Sequence, residues 1–312
     1  MWIPYSLGLA RAVLIPQGWL GLLPLHAAWT ECRPLEGSIP SEGAAGRRYA
    51  LDRICFSYAP NANALRTAQA TAARVAPDRL LAVDQPWPVS ANPLPNSSLE
   101  VAAACEHFAP DRRKVLGGEA ATEKDVRTLL PRYSVVHCSC HGLAGFARPL
   151  EGGLLLAHDE VLSLGDILAL RLEKTRLAVL SACETGVPGL ELPDEVISLP
   201  TGLLQAGVAG IVASLWSVSD ISTMVLMSRF YDLWKGQAME PAEALRQAQR
   251  WVRDTSNGQK AEYFKGFLPE FGVQKMPLSV ADTLYKASTL ARPHENDFEH
   301  PFHWAAFGYT GA

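Results

Sequence analysis

Two short stretches carry residues able to do covalent chemistry together. One is Leu177-Ala-Val-Leu-Ser-Ala-Cys-Glu-Thr-Gly186, which places Cys183 just beyond an apolar run; the other, Ser134-Val-Val-His-Cys-Ser-Cys-His-Gly142, ends in His141. A free thiol titrates near ~8.5 and is mostly protonated at neutral pH, so a nucleophilic cysteine needs a base or a positive neighbour to supply the thiolate. An imidazole does both jobs, taking the thiol proton and then, as imidazolium, giving it to a leaving amine. The pair therefore points to acyl transfer through a thiol nucleophile.

Both stretches read as buried strands. Each is a short apolar, partly β-branched run that stops at small or polar residues and a Gly. In open parallel sheets, chemistry gathers beyond the carboxyl ends of strands, where loops vary over a rigid scaffold. If the two strands are neighbours, His141 and Cys183 emerge side by side.

The elements around them alternate. Strands are expected at Tyr49–Tyr58, Leu80–Val83 and Lys114–Leu116, and at Gly210–Trp216. Helices are expected at Asn61–Val75, from Ser97 onward and at Thr122–Leu130, then at Ser219–Lys235, Pro241–Arg253 and Leu278–Thr289. Such alternation implies βαβ units, a mostly parallel sheet and helices on both of its faces. Arg11 to Ala28 reads as two short strands around Gln17-Gly18, and Gly152–Ala157 with Val161–Leu164 as a hairpin. Pro193 to Gln205 begins a helix that either kinks at Pro200 or starts there, after Ser198. Ser256 to Pro277 reads as a loose insertion, Arg292 to Glu299 as a charged surface loop, and Phe302 to Tyr309 as a closing strand.

Composition narrows the classes. A chain of 312 residues, 48% of them hydrophobic, has ample material for a packed core. A net charge of -4 without a basic block argues against a direct nucleic-acid partner, which needs clustered Lys and Arg. Met1 to Ala28 is apolar enough to resemble a secretory signal, but Arg11 interrupts it and Pro4, Pro16 and Pro24 break any continuous helix. No other run reaches the ~18 apolar residues of a membrane span. The 6 cysteines, Cys32, Cys55, Cys105, Cys138, Cys140 and Cys183, show no secreted-scaffold spacing, so a reducing cytoplasm is the expected compartment.

The motifs in order carry a family resemblance. His-Cys-Ser-Cys-His-Gly142 and Leu180-Ser-Ala-Cys-Glu-Thr-Gly186 are followed by Pro193-Asp-Glu-Val-Ile197, Ala213-Ser-Leu-Trp216, Glu243-Ala-Leu-Arg-Gln-Ala248 and His300-Pro-Phe-His-Trp-Ala-Ala306. Together with a weaker match at Val13 to His26, they resemble a CHAT domain, a caspase-like cysteine peptidase related to caspases and separase. The interval between His141 and Cys183 is 183 − 141 = 42 residues, close to the roughly 50-residue caspase spacing. The resemblance implies an α/β, caspase-like three-layer α/β/α sandwich over 1–312, with 1–130 the less typical part and 131–312 the catalytic part.

It also implies roles. His141 and Cys183 form a catalytic dyad, and the backbone N–H of Gly142, with that of Cys183, holds the oxyanion. Asp220 stands where the separase resemblance puts an acidic floor for a basic P1 side chain, with Asp194 and Glu195 as alternative recognition acids. Each has an ordinary reading beside it: Ser219 and Asp220 as caps of the following helix, Asp194 and Glu195 as first-turn charges, Gly142 as the end of a strand. Glu184 and Thr185 are placed to hold the nucleophile's loop. A metal reading of His-Cys-Ser-Cys-His is disfavoured, because Cys138 and Cys140 point away from His137 and His141 on a strand; no metal or other cofactor is expected. Trp216, Trp234, Trp251 and Trp304, like Cys105 and Cys140, read as packing. Expected partners are a protein substrate and a regulatory or sensor protein or upstream region, with no membrane contact. A silent caspase-like scaffold, or an acyltransferase built on the same dyad, are the rival readings.

Overall fold

The computed structural model describes residues 9–31, 47–143, 145, 148–181, 198–271 and 276–312. Cys183, Glu184, Thr185, Asp194 and Glu195 lie outside the described residues.

The two motif strands are where the residues place them. Val135–Ser139 (β7) and Leu177–Leu180 (β11) are buried along their whole length, the pattern of strands covered on both faces of a parallel sheet. They sit at the centre of an eight-stranded sheet whose other strands are Arg11–Leu14 (β1), Cys55–Tyr58 (β4), Leu80–Pro86 (β5), Arg113–Gly118 (β6), Gly210–Ser214 (β12) and Phe307–Gly311 (β13). The order is β1-β4-β13-β12-β11-β7-β5-β6. Neighbours pair in parallel except β12 with β13, which are antiparallel. Trp29–Glu31 (β2) and Arg47–Tyr49 (β3) form a separate antiparallel pair. His141–Leu143 (β8), Gly153–Leu155 (β9) and Val161–Ser163 (β10) form a small antiparallel sheet.

Alternation along each central strand builds the two outer layers. Leu177 and Val179, with Leu80, Ala82, Val135 and Val212, pack on one face against helices Ser97–Cys105 (α2), Asp220–Tyr231 (α6) and Pro241–Asp254 (α7). Helices Asn257–Lys265 (α8) and Leu278–Leu290 (α9) extend that layer through Phe264, Val280 and Leu284. Ala178 and Leu180, with Leu81, Val83, Val136, Cys138 and Ile211, face the opposite layer. That layer contains Ala62–Arg74 (α1), Glu123–Leu129 (α3), Leu164–Leu168 (α4) and Leu199–Gln205 (α5). The result is the expected α/β/α sandwich with a mostly parallel sheet.

Local signals fix most element ends. The Asn61 side chain accepts the N–H of Ala64, and Thr122 that of Asp125; Ser163 and Asp166 form a reciprocal capping box at the start of α4. α5 begins directly after Ser198, with Pro200 in its first turn, so of the two readings of Pro200 the late start holds.

Four expectations need correction. Arg11–Ala28 contains one strand, then 3-10 turns at Gly18–Leu22 and Leu25–Ala27; Pro16 and Pro24 cannot donate to a hairpin ladder. Tyr49–Tyr58 is not one strand, because the Asp52 carboxylate accepts the Tyr49 N–H at 2.8 Å and curls the chain into a turn at Ala50–Asp52. The insertion after Ser256 holds α8, capped by a Ser256/Gln259 box. Phe302–Tyr309 starts as a short helix, Pro301–Trp304 (α10), because Pro301 suits a first helical turn and His300 accepts the Phe302 N–H. No helix among the described residues is long and apolar enough to cross a membrane.

Candidate active site

β7 and β11 run side by side in one register, Leu177 beside Val135 and Leu180 beside Cys138. The offset, 177 − 135 = 42, equals the interval between His141 and Cys183. Pairing continues into the loop, where the Ser181 N–H donates to the Cys138 carbonyl at 2.9 Å. Both motif segments thus leave the sheet at the same end, and Cys183 follows Ser181 by two residues in the sequence.

At that end the His segment is pinned from below. The His137 side chain points into the α2/α6 layer and Cys138 into the other, as strand alternation requires. His137 is wholly buried; its Nε2 lies 3.2 Å from Glu100 Oε1 on α2, out of line for a hydrogen bond, and its Nδ1 lies 3.0 Å from the Tyr231 hydroxyl on α6. Burial, and secondarily the Glu100 charge, push the Tyr231 hydroxyl well above its ordinary range, so it keeps its proton beside Nδ1. Ser139 donates to Glu100 Oε2 at 3.4 Å, and its carbonyl accepts the Ser97 hydroxyl at 3.2 Å.

The chain then turns out of the central sheet at Cys140, which is buried, and enters β8 with His141 at its first position. His141 pairs with Leu155 and Gly142 with Leu154 in the small sheet, so Gly142 lies within a strand rather than ending one. The ring is half-buried, and its Nε2 is 2.7 Å from the Asn92 carbonyl oxygen. A carbonyl only accepts, so Nε2 carries the hydrogen and Nδ1 is left as the basic nitrogen of the neutral ring. An orienting acceptor on one nitrogen and a free lone pair on the other is the arrangement a general base needs.

Asn92 belongs to the loop joining β5 to α2, and Asp220 grips the same loop. Asp220 is the first residue of α6, and its Oδ2 accepts the Asn96 N–H at 2.9 Å. Ser219 precedes it without a side-chain cap bond. Of the two readings of Asp220, simple capping of its own helix does not describe its carboxylate, which serves the start of the neighbouring α2. His141 and Asp220 are thereby tied to positions 92 and 96 of one loop.

The CHAT domain family model matches residues 5–312. The chain belongs to the CHAT domain family.

Among solved structures, Saccharomyces cerevisiae separase in complex with securin aligns to this CHAT domain with TM-scores of 0.52 and 0.50 at 12% identity. Those alignments cover 77% and 97% of this chain but only 14% and 16% of that one. The complex of Porphyromonas gingivalis RgpB pro- and mature domains aligns at a TM-score of 0.47 and 11% identity, over 83% of this chain and 55% of that chain. By sequence, no curated protein matches the chain. The separase likeness at such low identity speaks to fold, and the CHAT domain here has the caspase-like sandwich.

Other candidates resolve as packing. Trp304 is fully buried and Trp234 nearly so. Cys105 is buried, and burial pushes its thiol up to about 11. Cys138 is pushed up to about 12 for the same reason, the behaviour of an inert core thiol. His26, in the N-terminal part of the CHAT domain, is buried beside a small cavity of about 70 Å³ that also touches Ser198 and Thr201 near the start of α5. Burial lowers it to about 4, and Tyr58 engages its Nδ1 at 2.8 Å, so it is a neutral packing residue and not a second base. Sequence reasoning missed Asn92 and Glu100. Asn92 acts through its backbone and has no side-chain signature. Glu100 was visible as a carboxylate among the apolar positions Leu99, Val101 and Ala102.

Proposed function

We propose that this CHAT domain is a cysteine endopeptidase in which Cys183 is the nucleophile and His141 the base. The observation that carries the reading is the Asn92 carbonyl on His141 Nε2, on a segment whose strand register with β11 equals the His141-to-Cys183 interval. The Cys183 thiol proton passes to His141 Nδ1, and the thiolate adds to the peptide carbonyl carbon, with the Gly142 and Cys183 N–H groups receiving the oxyanion. The imidazolium protonates the leaving amine as the C–N bond breaks. Water, losing a proton to the same ring, then hydrolyses the thioester and restores the thiol.

Asp220, or in its place Asp194 and Glu195, is the acidic group for a basic P1 side chain. One Asp220 oxygen on Asn96 leaves the other for an Arg or Lys of the substrate. A protein substrate in a reducing cytoplasm, and control by a regulatory or sensor protein or an upstream region, complete the proposal.

The test is cleavage of Arg, Lys and neutral P1 reporter peptides by wild type, Cys183→Ala, Asp220→Asn and Asp220→Ala. Cys183→Ala is expected to abolish cleavage of all of them; equal turnover in wild type and Cys183→Ala refutes the dyad and leaves the scaffold reading. Asp220→Asn keeps an acceptor for the Asn96 N–H but loses the charge. It is expected to lose the Arg-over-neutral preference by about tenfold or more with kcat on the neutral peptide kept, since a charge-assisted pair contributes ~1.5–3 kcal/mol. Asp220→Ala is expected to lose both. Unchanged P1 preference in either variant removes Asp220 from the pocket.

A further inference from the structure

The backbone is strained in an unusual place. Among the described residues, the non-glycine positions at positive φ are Gln85 (37°), His158 (63°), Asp159 (58°) and Ala238 (55°). Three of these four border the loop that carries Asn92. Gln85 lies at its root, where its N–H donates to the Ser97 hydroxyl at 3.1 Å. His158 and Asp159 lie across from its middle, in the turn between β9 and β10. Non-glycine residues in this region cost on the order of 1–3 kcal/mol each and persist where surrounding structure holds them.

Here the left-handed pair aims two groups at one stretch of the loop. The His158 N–H donates to the Pro88 carbonyl at 2.7 Å. The Asp159 carboxylate takes both donors of Ser90, the backbone N–H on Oδ1 at 2.6 Å and the hydroxyl on Oδ2 at 2.7 Å. Those Ser90 bonds hold the Asp159 carboxyl below its usual range. Two residues further on, the Asn92 carbonyl meets His141 Nε2. The far end of the loop is fixed separately, by Asp220 on Asn96 and by Ser97 on Asp84 at 2.7 Å.

We propose that Asp159 is a positioning residue for His141: by clamping Ser90 it fixes the Asn92 carbonyl, and through it the ring tautomer that leaves Nδ1 basic. The clamp is exposed to water and joins the turn between β9 and β10 to the loop after β5, so its contribution to global stability is small and its effect is local. It acts through Asn92, whereas Asp220 acts on the same loop from the substrate side. Its catalytic meaning rests on the peptidase reading above, but the clamp itself does not.

The test is histidine-selective 15N labelling of the full chain, with His141 assigned from a His141→Gln sample, and long-range proton–nitrogen correlation of the ring. In wild type, His141 is expected to show a pyrrole-like Nε2 and a pyridine-like Nδ1. In Asp159→Ala the two shifts are expected to move toward each other as the tautomers average, and in Ser90→Ala, which removes only the hydroxyl bond, to move part of the way. Unchanged His141 shifts in Asp159→Ala, with far-UV circular dichroism showing an intact fold, overturn the proposal. Alkylation of Cys183 by iodoacetamide is read in parallel and is expected to slow about tenfold in Asp159→Ala, since small misplacements in such sites cost up to ~10²-fold. If wild-type Cys183 alkylates no faster than a thiol in the unfolded chain, the peptidase reading fails while the ring correlation still decides the clamp.

Discussion

A His141→Ala chain is expected to cleave basic-P1 reporters with kcat reduced about 10²–10⁴-fold, the usual contribution of a positioned general acid–base. The structure sharpens this expectation. The ring is half-buried at the edge of a small sheet, and its polar contact is with a backbone carbonyl, so its removal opens no core cavity and the melting temperature is expected to stay within a few degrees of wild type. His141→Gln is the stricter variant, since its amide can still donate to the Asn92 carbonyl but offers no lone pair of useful basicity. Loss of kcat in both variants, with KM close to wild type, separates proton transfer from loop support. If His141→Gln retained a tenth or more of wild-type kcat, the base would have to be sought elsewhere.

How much of this was legible follows from where each interaction is encoded. The β7 and β11 strands are written in consecutive apolar residues, so their existence, their burial and their place in a parallel sheet could be read from composition and spacing alone. Helix starts marked by a side chain, such as Thr122 and Ser163, are equally open, whereas at the first helix Asn61 and Asn63 are both suitable caps and Asn61 takes the role. The Ser256/Gln259 box at the start of α8 carried the same signal but was obscured by the Gly and Lys residues after it. The C-terminal segment misleads because a Pro-Phe-His-Trp run alternates like a strand while Pro301 starts a helical turn. The site divides in the same way. His141 announces itself as a titratable ring beyond a strand, whereas its orienting partner is a peptide carbonyl that any residue at position 92 supplies. Asp220 could be picked out by charge, but its grip on Asn96 joins two helices 124 positions apart, a relation no local pattern contains.

The largest expected effect on stability belongs to Glu100. It is 2% exposed, on the face of α2 that packs against the sheet; one carboxylate oxygen accepts the Ser139 hydroxyl at 3.4 Å and the other lies 3.2 Å from His137 Nε2. Glu100→Ala removes the acceptor of the Ser139 hydroxyl and the carboxylate beside His137 Nε2, between packed layers. Emptying a buried site of this size and leaving the Ser139 hydroxyl without its acceptor costs about 2–5 kcal/mol. Glu100→Gln preserves an acceptor for one of the two and is expected to cost about 1–3 kcal/mol, the range for a buried polar group left without its partner. The informative variant is the pair Glu100→Leu with His137→Leu. If the contact is held for position and not for stability, replacing both by apolar groups of similar size is expected to recover most of the Glu100→Ala loss. Urea midpoints for the four chains test this, and a Glu100→Ala midpoint equal to wild type refutes it. Ser139 stands two residues before His141, so the doubly apolar chain also asks whether β7 delivers the ring correctly without this contact. Restored stability with depressed kcat would place Glu100 in the alignment of His141 as well as in the core.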